Sequence, residues 1–109
     1  MKLNELQRDT ISNMICVCDA LGYNRVTEIE ELAEYTDMNF EFLQNVLETI
    51  PTQDDAEQDE AIFDALDIAK AIAEDRAETL DDLGEYHENG YIEISDLLFS
   101  ILTQDTEEV

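Results

Sequence analysis

Basic residues are the scarcest component of this sequence. Five lysines and arginines stand against 29 aspartates and glutamates in 109 residues, which gives a net charge of −24. Such a surface repels DNA, RNA and anionic lipid. The small number of cations also disfavours the binding of phosphorylated substrates. We therefore expect partners that are cationic, either a basic protein surface or metal ions.

Cysteine, glycine and long apolar runs are also scarce. The two cysteines, Cys16 and Cys18, point about 200° apart on a helix, so we expect free thiols and a reduced, intracellular setting. The three glycines are isolated, which excludes a glycine-rich phosphate loop. No stretch approaches the roughly 18 consecutive apolar residues of a membrane span, and no secretory signal is visible. We predict a cytoplasmic protein with no membrane association.

Residues suited to catalysis are few. His87 is the single histidine, and it lies in a polar segment with no serine or cysteine in an activating context. Acidic side chains are too numerous for spacing to single out a catalytic pair. We predict that the protein is not an enzyme and that it has no catalytic residue, no cofactor and no metal ligand set.

What the sequence does contain is enough apolar material for one domain. Hydrophobic residues make up 44% of the chain, within the normal range for globular proteins. This content argues against a wholly disordered acidic chain. We predict one helical domain over residues 1–103 and an acidic C-terminal tail over 104–109, without a convincing internal repeat.

Apolar periodicity and capping signals predict an all-α fold. We expect a compact bundle of about five helices, with a briefly extended segment at Tyr91–Ile94 and at most one very short strand pair. Thr27 and Ser95 are the expected N-caps of the second and fifth helices. The predicted helices cover residues 3–21, 27–35, 40–50, 53–85 and 96–103.

The segment from Val26 to Ile50 resembles the helix-turn-helix of winged-helix proteins. It has a capped helix with inward Leu and Ala, a short polar turn, and a second helix with an apolar edge. In that family the second helix enters the DNA major groove and supplies donors to bases and phosphates. Here that helix offers Glu41, Gln44, Asn45 and Glu48 and no basic residue. The resemblance therefore implies a helix-turn-helix scaffold in the N-terminal half that does not bind DNA.

A second segment resembles an EF-hand loop. With Gly90 at the central glycine, Ile92 falls on the usual apolar position and Asp96 on the final acid. The match is partial, because Glu replaces the first Asp and Asp replaces the last Glu. The resemblance implies a degenerate divalent-cation module, and a plain polar turn is the alternative. Its candidate ligands are Glu85, His87, Asn89, Glu93 and Asp96.

The acidic residues are concentrated after the first helix. Residues 1–25 sum to zero charge, whereas residues 26–109 hold 26 acids against Lys70 and Arg76. In the predicted helix over 53–85, like charges four residues apart cost about 0.2–0.5 kcal/mol per pair. Few cations offset this cost, which indicates a role other than folding.

One stripe of that helix has a spacing like that of a polyphosphate. Its acids recur at intervals of three, four and seven, and the intervals of three and four place neighbours roughly 5 Å apart along the axis. Phosphates along one DNA strand recur at a few ångströms to about 7 Å. The stripe consists of Glu57, Glu60, Asp64, Asp67, Glu74 and Glu78. The predicted partner-binding residues are Asp54, Asp55, Glu57, Glu60, Asp64, Asp67, Glu74, Asp75, Glu78, Asp81 and Asp82.

In size and charge the chain resembles the acidic DNA-mimic proteins of bacteriophages and mobile elements. The shared features are a short chain, extreme acidity, few cations and an acidic tail. The resemblance implies an inhibitor, acting in the cytoplasm of an infected bacterium, of the anti-restriction or anti-CRISPR type. Its partner would be a basic DNA-binding protein: a restriction enzyme, a CRISPR effector or a nucleoid protein.

Three questions stay open at this point. An acidic structural or adaptor domain, including one from a salt-loving organism, is an alternative function, and the cation-binding module is another. The oligomeric state is also open. The near-neutral first helix is the expected place for self-association. Its residues Met14, Cys16, Cys18 and Tyr23 are candidates for a homodimer face or for the core.

Overall fold

Helices form the regular structure of the chain. The computed structural model describes residues 3–107, with the backbone alone at 106 and 107, and this range contains no β-strand. The predicted all-α bundle is confirmed. Its elements are α1 (Glu5–Gly22), a first 3-10 helix (Ile29–Tyr35), α2 (Phe40–Leu47), α3 (Ala56–Ala73), α4 (Leu80–Leu83), a second 3-10 helix (Gly84–Tyr86) and α5 (Tyr91–Glu107).

Polar side chains begin most of these helices. The Asn4 side chain caps α1 in a reciprocal box with Gln7, and Asn39 caps α2. Each cap satisfies a backbone N–H that has no partner inside the helix. The predicted cap at Thr27 is wrong by one residue. The cap position is Glu28, and the Glu31 carboxylate accepts from the backbone N–H groups of Thr27 and Glu28.

The long helix predicted over residues 53–85 is wrong. It is two helices, because α3 ends at Ala73 and the chain turns through Asp75 with a left-handed φ of 54°. The Arg76 N–H donates to the Ala71 carbonyl at 2.9 Å and closes this turn. Aspartate tolerates the left-handed conformation better than most residues, so the break needs no glycine. A box between Thr79 and Asp82 then starts α4.

The last helix is longer than predicted at both ends. It begins at Tyr91, so the extended segment expected at 91–94 is helical. Ser95 does not cap it, since its hydroxyl lies inside the helix and donates to Asp19 at 2.6 Å. The acidic tail does not begin at residue 104, because α5 continues to Glu107 and Asp105 is buried. Residues 108 and 109 of the predicted tail lie outside the described residues.

The structure contains an internal repeat that the sequence interpretation missed. Residues 4–54, the first half, and residues 55–105, the second half, match at an offset of 51 positions, with α4 and the second 3-10 helix together in the place of the first 3-10 helix. Twelve of the 51 aligned positions are identical, among them Thr52-Gln53-Asp54 and Thr103-Gln104-Asp105. The expectation of no repeat is therefore wrong. The signal was weak because most of the shared residues are single positions scattered along the chain.

Local hydrogen bonds repeat with the same offset. Asn24 and Asp75 occupy the equivalent turn with φ of 56° and 54°. The Arg25 N–H donates to Ala20 O at 2.8 Å, as Arg76 does to Ala71. These matches extend to the backbone conformation of single residues, so the halves are two copies of one supersecondary unit.

The two halves pack reciprocally around one core. Helix α1 packs most extensively on α5, and α2 packs on α3, so the first helix of each half lies against the last helix of the other. Contacts of Leu3 with Asp105 and of Gly22 with Ile92 show that α1 and α5 are antiparallel. Reciprocal packing of this kind is the mark of a two-fold relation. The largest fully buried side chains include Ile11, Met14, Leu32, Leu43, Leu47, Ile68, Leu83, Ile94 and Leu98.

Candidate anionic surface

Most of the predicted partner-binding carboxylates are exposed. Asp54, Asp55, Glu57, Glu60, Asp67, Glu74, Asp75, Glu78 and Asp81 lie in solvent, and Asp82 is half-buried. Asp64 is the exception and is 7% exposed. The regular stripe is therefore not retained. With Asp64 turned inward, Glu60 and Asp67 follow one another at roughly 10 Å along the axis instead of 5 Å, and the step from Asp67 to Glu74 is also roughly 10 Å.

Asp64 organises a loop of its own half. Its carboxylate accepts from the Asn89 side chain at 2.8 Å and from the Glu88 N–H at 3.4 Å. The equivalent residue in the first half, Asn13, accepts from the Asp37 N–H at 3.1 Å. The side chain at this position therefore accepts from the backbone of the equivalent loop in both halves. We assign Asp64 to folding, and it should be left out of any binding surface.

Several other acids also act within the fold. Asp55 caps α3 by accepting from the Glu57 and Gln58 N–H groups, and Asp82 accepts from the Glu78 and Thr79 N–H groups. Such caps each contribute about 1 kcal/mol. Their carboxylates are engaged, so they contribute less freely to recognition than acids without donors.

A second group of acids has no hydrogen-bond donor within residues 3–107. Glu60 and Asp67 lie on the outer face of α3, and beyond its end Glu30 shares a cleft of about 440 Å³ with Asp75 and Glu78. Glu28 and Glu30 line the neighbouring cleft with Glu78. The sequence interpretation missed Glu28 and Glu30, because only the tertiary fold places them beside Glu78. We define the anionic surface as these acids together with Glu57 and with Glu74, which accepts from Arg76 at 3.3 Å. Its members are Glu28, Glu30, Glu57, Glu60, Asp67, Glu74, Asp75 and Glu78.

The repeat supplies an internal comparison for this surface. Its six second-half positions are all acidic, whereas their first-half equivalents include one acid. Those equivalents are Leu6, Asp9, Cys16, Tyr23, Asn24 and Thr27. Because the same local structure forms with either set, folding does not require the carboxylates. The first half, residues 4–54, carries 11 acids against two bases, and the second half, residues 55–105, carries 16 against two.

The surface is not purely charged. Phe63 is 57% exposed on the outer face of α3, between Glu60 and Asp67. Lys70 follows on the same helix and is half-buried. This surface therefore combines acidic side chains with an exposed aromatic side chain.

Few positive charges lie within the described structure to neutralise this field. Arg76 pairs with Glu74 at 3.3 Å, and Arg8 pairs with the buried Asp105 at 3.6 Å. Arg25 lies over the ring of Tyr23 at 5.4 Å. Lys2 and Glu108 fall outside residues 3–107, so this range also has a net charge of −24. The fold is 40 Å long and 23 by 20 Å across, which is one charge per about 1.7 Å of length.

Two carboxylates have shifted pKa values, one raised and one lowered. Burial, and then the charge of Asp64, raise the pKa of Asp67, and Lys70 partly opposes the shift. Hydrogen bonds from Thr27 and then from Glu28 lower the pKa of Glu31. Asp67 therefore lies in an electrostatically unfavourable place, whereas Glu31 is stabilised as an anion by the start of the first 3-10 helix.

The calcium-loop interpretation of residues 85–96 is not supported. Residues 91–96 are helical, and the Glu88 N–H and Asn89 side-chain amide donate to Asp64. A cation needs acceptors at these places. The described residues contain no group of three or more His, Cys, Asp or Glu side chains placed to hold a metal ion. The His87 ring instead packs against the Tyr91 ring in a tilted arrangement, with ring centroids 4.3 Å apart.

The candidate dimer-face residues of α1 separate into two classes. Met14 and Cys18 are buried in the core, whereas Cys16 and Tyr23 are exposed. Burial, and then the charges of Asp19 and Asp64, raise the pKa of Cys18 to about 12. The Cys18 thiol therefore stays protonated at neutral pH and is a core group.

The helix-turn-helix scaffold is only partly recognisable in residues 26–50. The first of its two helices is a 3-10 helix, and α2 is a short helix of eight residues. Glu41, Asn45 and Glu48 are exposed on or just after α2. The segment is therefore another acidic part of the surface.

Comparisons with known proteins leave this surface as the main functional clue. No family model, curated protein or solved structure matches the chain. None of the helices in residues 3–107 is both long and apolar enough to cross a membrane.

Proposed function

We propose that this protein is a DNA-mimic inhibitor that occupies the DNA-binding surface of a basic protein. The observation that carries the proposal is the charge per unit length. The fold presents one negative charge per about 1.7 Å along its 40 Å axis, and duplex DNA carries one per about 1.7 Å of helix axis. A groove that attracts duplex DNA by its field would therefore also attract this chain.

The mimicry resides in total charge and shape, not in a copied phosphate spacing. The regular 5 Å stripe is broken at Asp64, so the carboxylates do not follow one strand. The carboxylates of the anionic surface are instead held on a folded scaffold, which limits the entropy lost on binding. Their field would steer association and raise its rate at low salt.

The anionic surface is the proposed contact face, and its partner would be a restriction enzyme, a CRISPR effector or a nucleoid protein. Its second-half positions carry more acidic residues than the equivalent positions of the first half, which supports a role in recognition. Inhibition is proposed to be competitive and non-enzymatic, in the cytoplasm of an infected bacterium. Neither a cofactor nor a bound nucleic acid is required.

The test uses the immobilised chain and a bacterial lysate. Bound proteins are eluted with increasing NaCl and identified by mass. Each is then measured for displacement of a fluorescent DNA duplex of about 20 base pairs. We expect to recover a basic DNA-binding protein that releases the duplex when an equimolar amount of the chain is added. The affinity of that protein for the chain should fall steeply as salt rises. If none of the recovered proteins releases the duplex, the proposal is contradicted.

Two charge-reversal variants locate the contact face. Glu60→Lys, Asp67→Lys and Glu78→Lys together change the anionic surface. The control changes Asp9→Lys, Glu34→Lys and Asp37→Lys, which line a different cleft in the first half. Both variants alter net charge equally. We expect the first to weaken inhibition at least about tenfold, or about 1.4 kcal/mol, and more than the control. Equal inhibition by the first variant and the parent would rule out this face.

A further inference from the structure

The strongest packing in this fold joins the two halves. Helix α1 belongs to the first half and its main neighbour α5 to the second, while α2 and α3 are likewise from different halves. A half separated from its complement would therefore expose the apolar faces of two helices. Neither half holds a complete core, so each depends on a complementary half.

A single short segment connects the halves. Glu48, Thr49 and Ile50 still donate to carbonyls of α2, and Asp55 already caps α3. Only residues 51–54 lie between these two ends. One bond of this connection is local, from the Gln53 N–H to the Asp59 carboxylate at 3.1 Å. Its opening would cost few contacts compared with the interface it separates.

We propose that the half-to-half interface also binds a second copy of this chain, through exchange of halves. In the exchanged dimer the first half of one chain packs on the second half of the other. Every α1–α5 and α2–α3 contact is kept, and only the connection changes its path. Exchange of identical elements is a low-cost route to dimers. This inference does not depend on the proposed function.

Chain connectivity and charge decide which form is populated. A short connection gives the complementary half of the same chain an effective concentration of roughly millimolar, which favours the monomer in dilute solution. The dimer also brings together two chains with a net charge of −24 each. Salt shortens the range of this repulsion from roughly 10 Å at 0.1 M to 3 Å at 1 M. Dimer formation should therefore increase with salt, whereas binding of a basic partner should decrease.

The first test shortens the connection. Deletion of residues 51–53 removes roughly 10 Å of reach, so the second half cannot fold back on the first. We expect light scattering to give twice the mass of the shortened chain, which is slightly below the 12.5 kDa of the parent. Its circular dichroism should be helical like that of the parent. A folded, monomeric deletion variant would overturn the proposal.

The second test uses the full-length chain and decides the matter if the deletion variant does not fold. A Cβ atom at position 22 would lie 2.7 Å from Ile92 Cγ1. Gly22→Cys with Ile92→Cys, in a Cys16→Ser chain, therefore places two thiols across the interface. The variant is refolded at high concentration in 1 M KCl and oxidised. Interchain disulfides in a dimer fraction support exchange. Intrachain disulfides alone refute it.

Discussion

Asp64 offers the sharpest test of the separation between folding acids and surface acids. The carboxylate is 7% exposed and accepts from Asn89 and from the Glu88 N–H. Replacement by alanine leaves both donors without this acceptor. Hydrogen bonds to a charged group contribute about 1.5–3 kcal/mol each, and the 3.4 Å bond lies at the weak end. Relief of repulsion with Asp67 offsets part of the loss. We expect Asp64→Ala to cost about 1–2 kcal/mol.

Asp64→Asn is the matched variant, because Asn13 performs the equivalent task in the first half. An asparagine oxygen accepts from the same loop, so the expected loss is below about 1 kcal/mol. The difference corresponds to roughly 4–8 °C in melting temperature per kcal/mol. Urea denaturation followed by circular dichroism measures both variants. Equal losses for alanine and asparagine would refute the assignment of this side chain to the loop.

An independent readout is the titration of Asp67. The charge of Asp64 contributes to the raised pKa of Asp67, so Asp64→Asn should lower that pKa toward its ordinary value. Carbon-detected nuclear magnetic resonance follows the Asp67 carboxyl through the titration. An unchanged pKa would mean that Asp64 is too far away or too well screened to affect it.

Further predictions concern close packing, pH and salt. Gly22→Ala should destabilise the fold by about 1 kcal/mol in urea denaturation, because the added methyl group meets the Ile92 side chain. Ile92→Ala in the same chain should remove most of this destabilisation. Because the folded state raises the pKa of Asp67, the folded form binds more protons, so the free energy of unfolding should rise as pH falls through that pKa. Asp67→Asn should reduce this rise. The lowered pKa of Glu31 acts oppositely, and its contribution should be lost only below its ordinary value of 4.5. The melting temperature should rise as KCl increases from 10 to 150 mM and should then level off. A continued gain toward molar salt would instead favour the halophilic adaptor.

The local hydrogen bonds explain where sequence interpretation succeeded and where it failed. Apolar periodicity located most of the helical segments, because one buried face suffices to mark a helix. The break after Ala73 was invisible, since an aspartate takes the left-handed position that usually signals glycine. The start of α5 at Tyr91 was missed for a related reason. Ser95 resembles a cap, yet its hydroxyl donates to Asp19 in another helix.

The sequence by itself determined the helical class, the charge of −24 and the scarcity of cations, because these depend on composition and short-range periodicity. The tertiary structure decided which carboxylates serve the fold and which remain without donors. Asp64 turns inward because a loop 24 residues away in sequence supplies its donors. Glu30 joins the anionic surface because the two halves pack reciprocally and bring it beside Glu78. Both outcomes depend on contacts between residues distant along the chain, which no local pattern encodes.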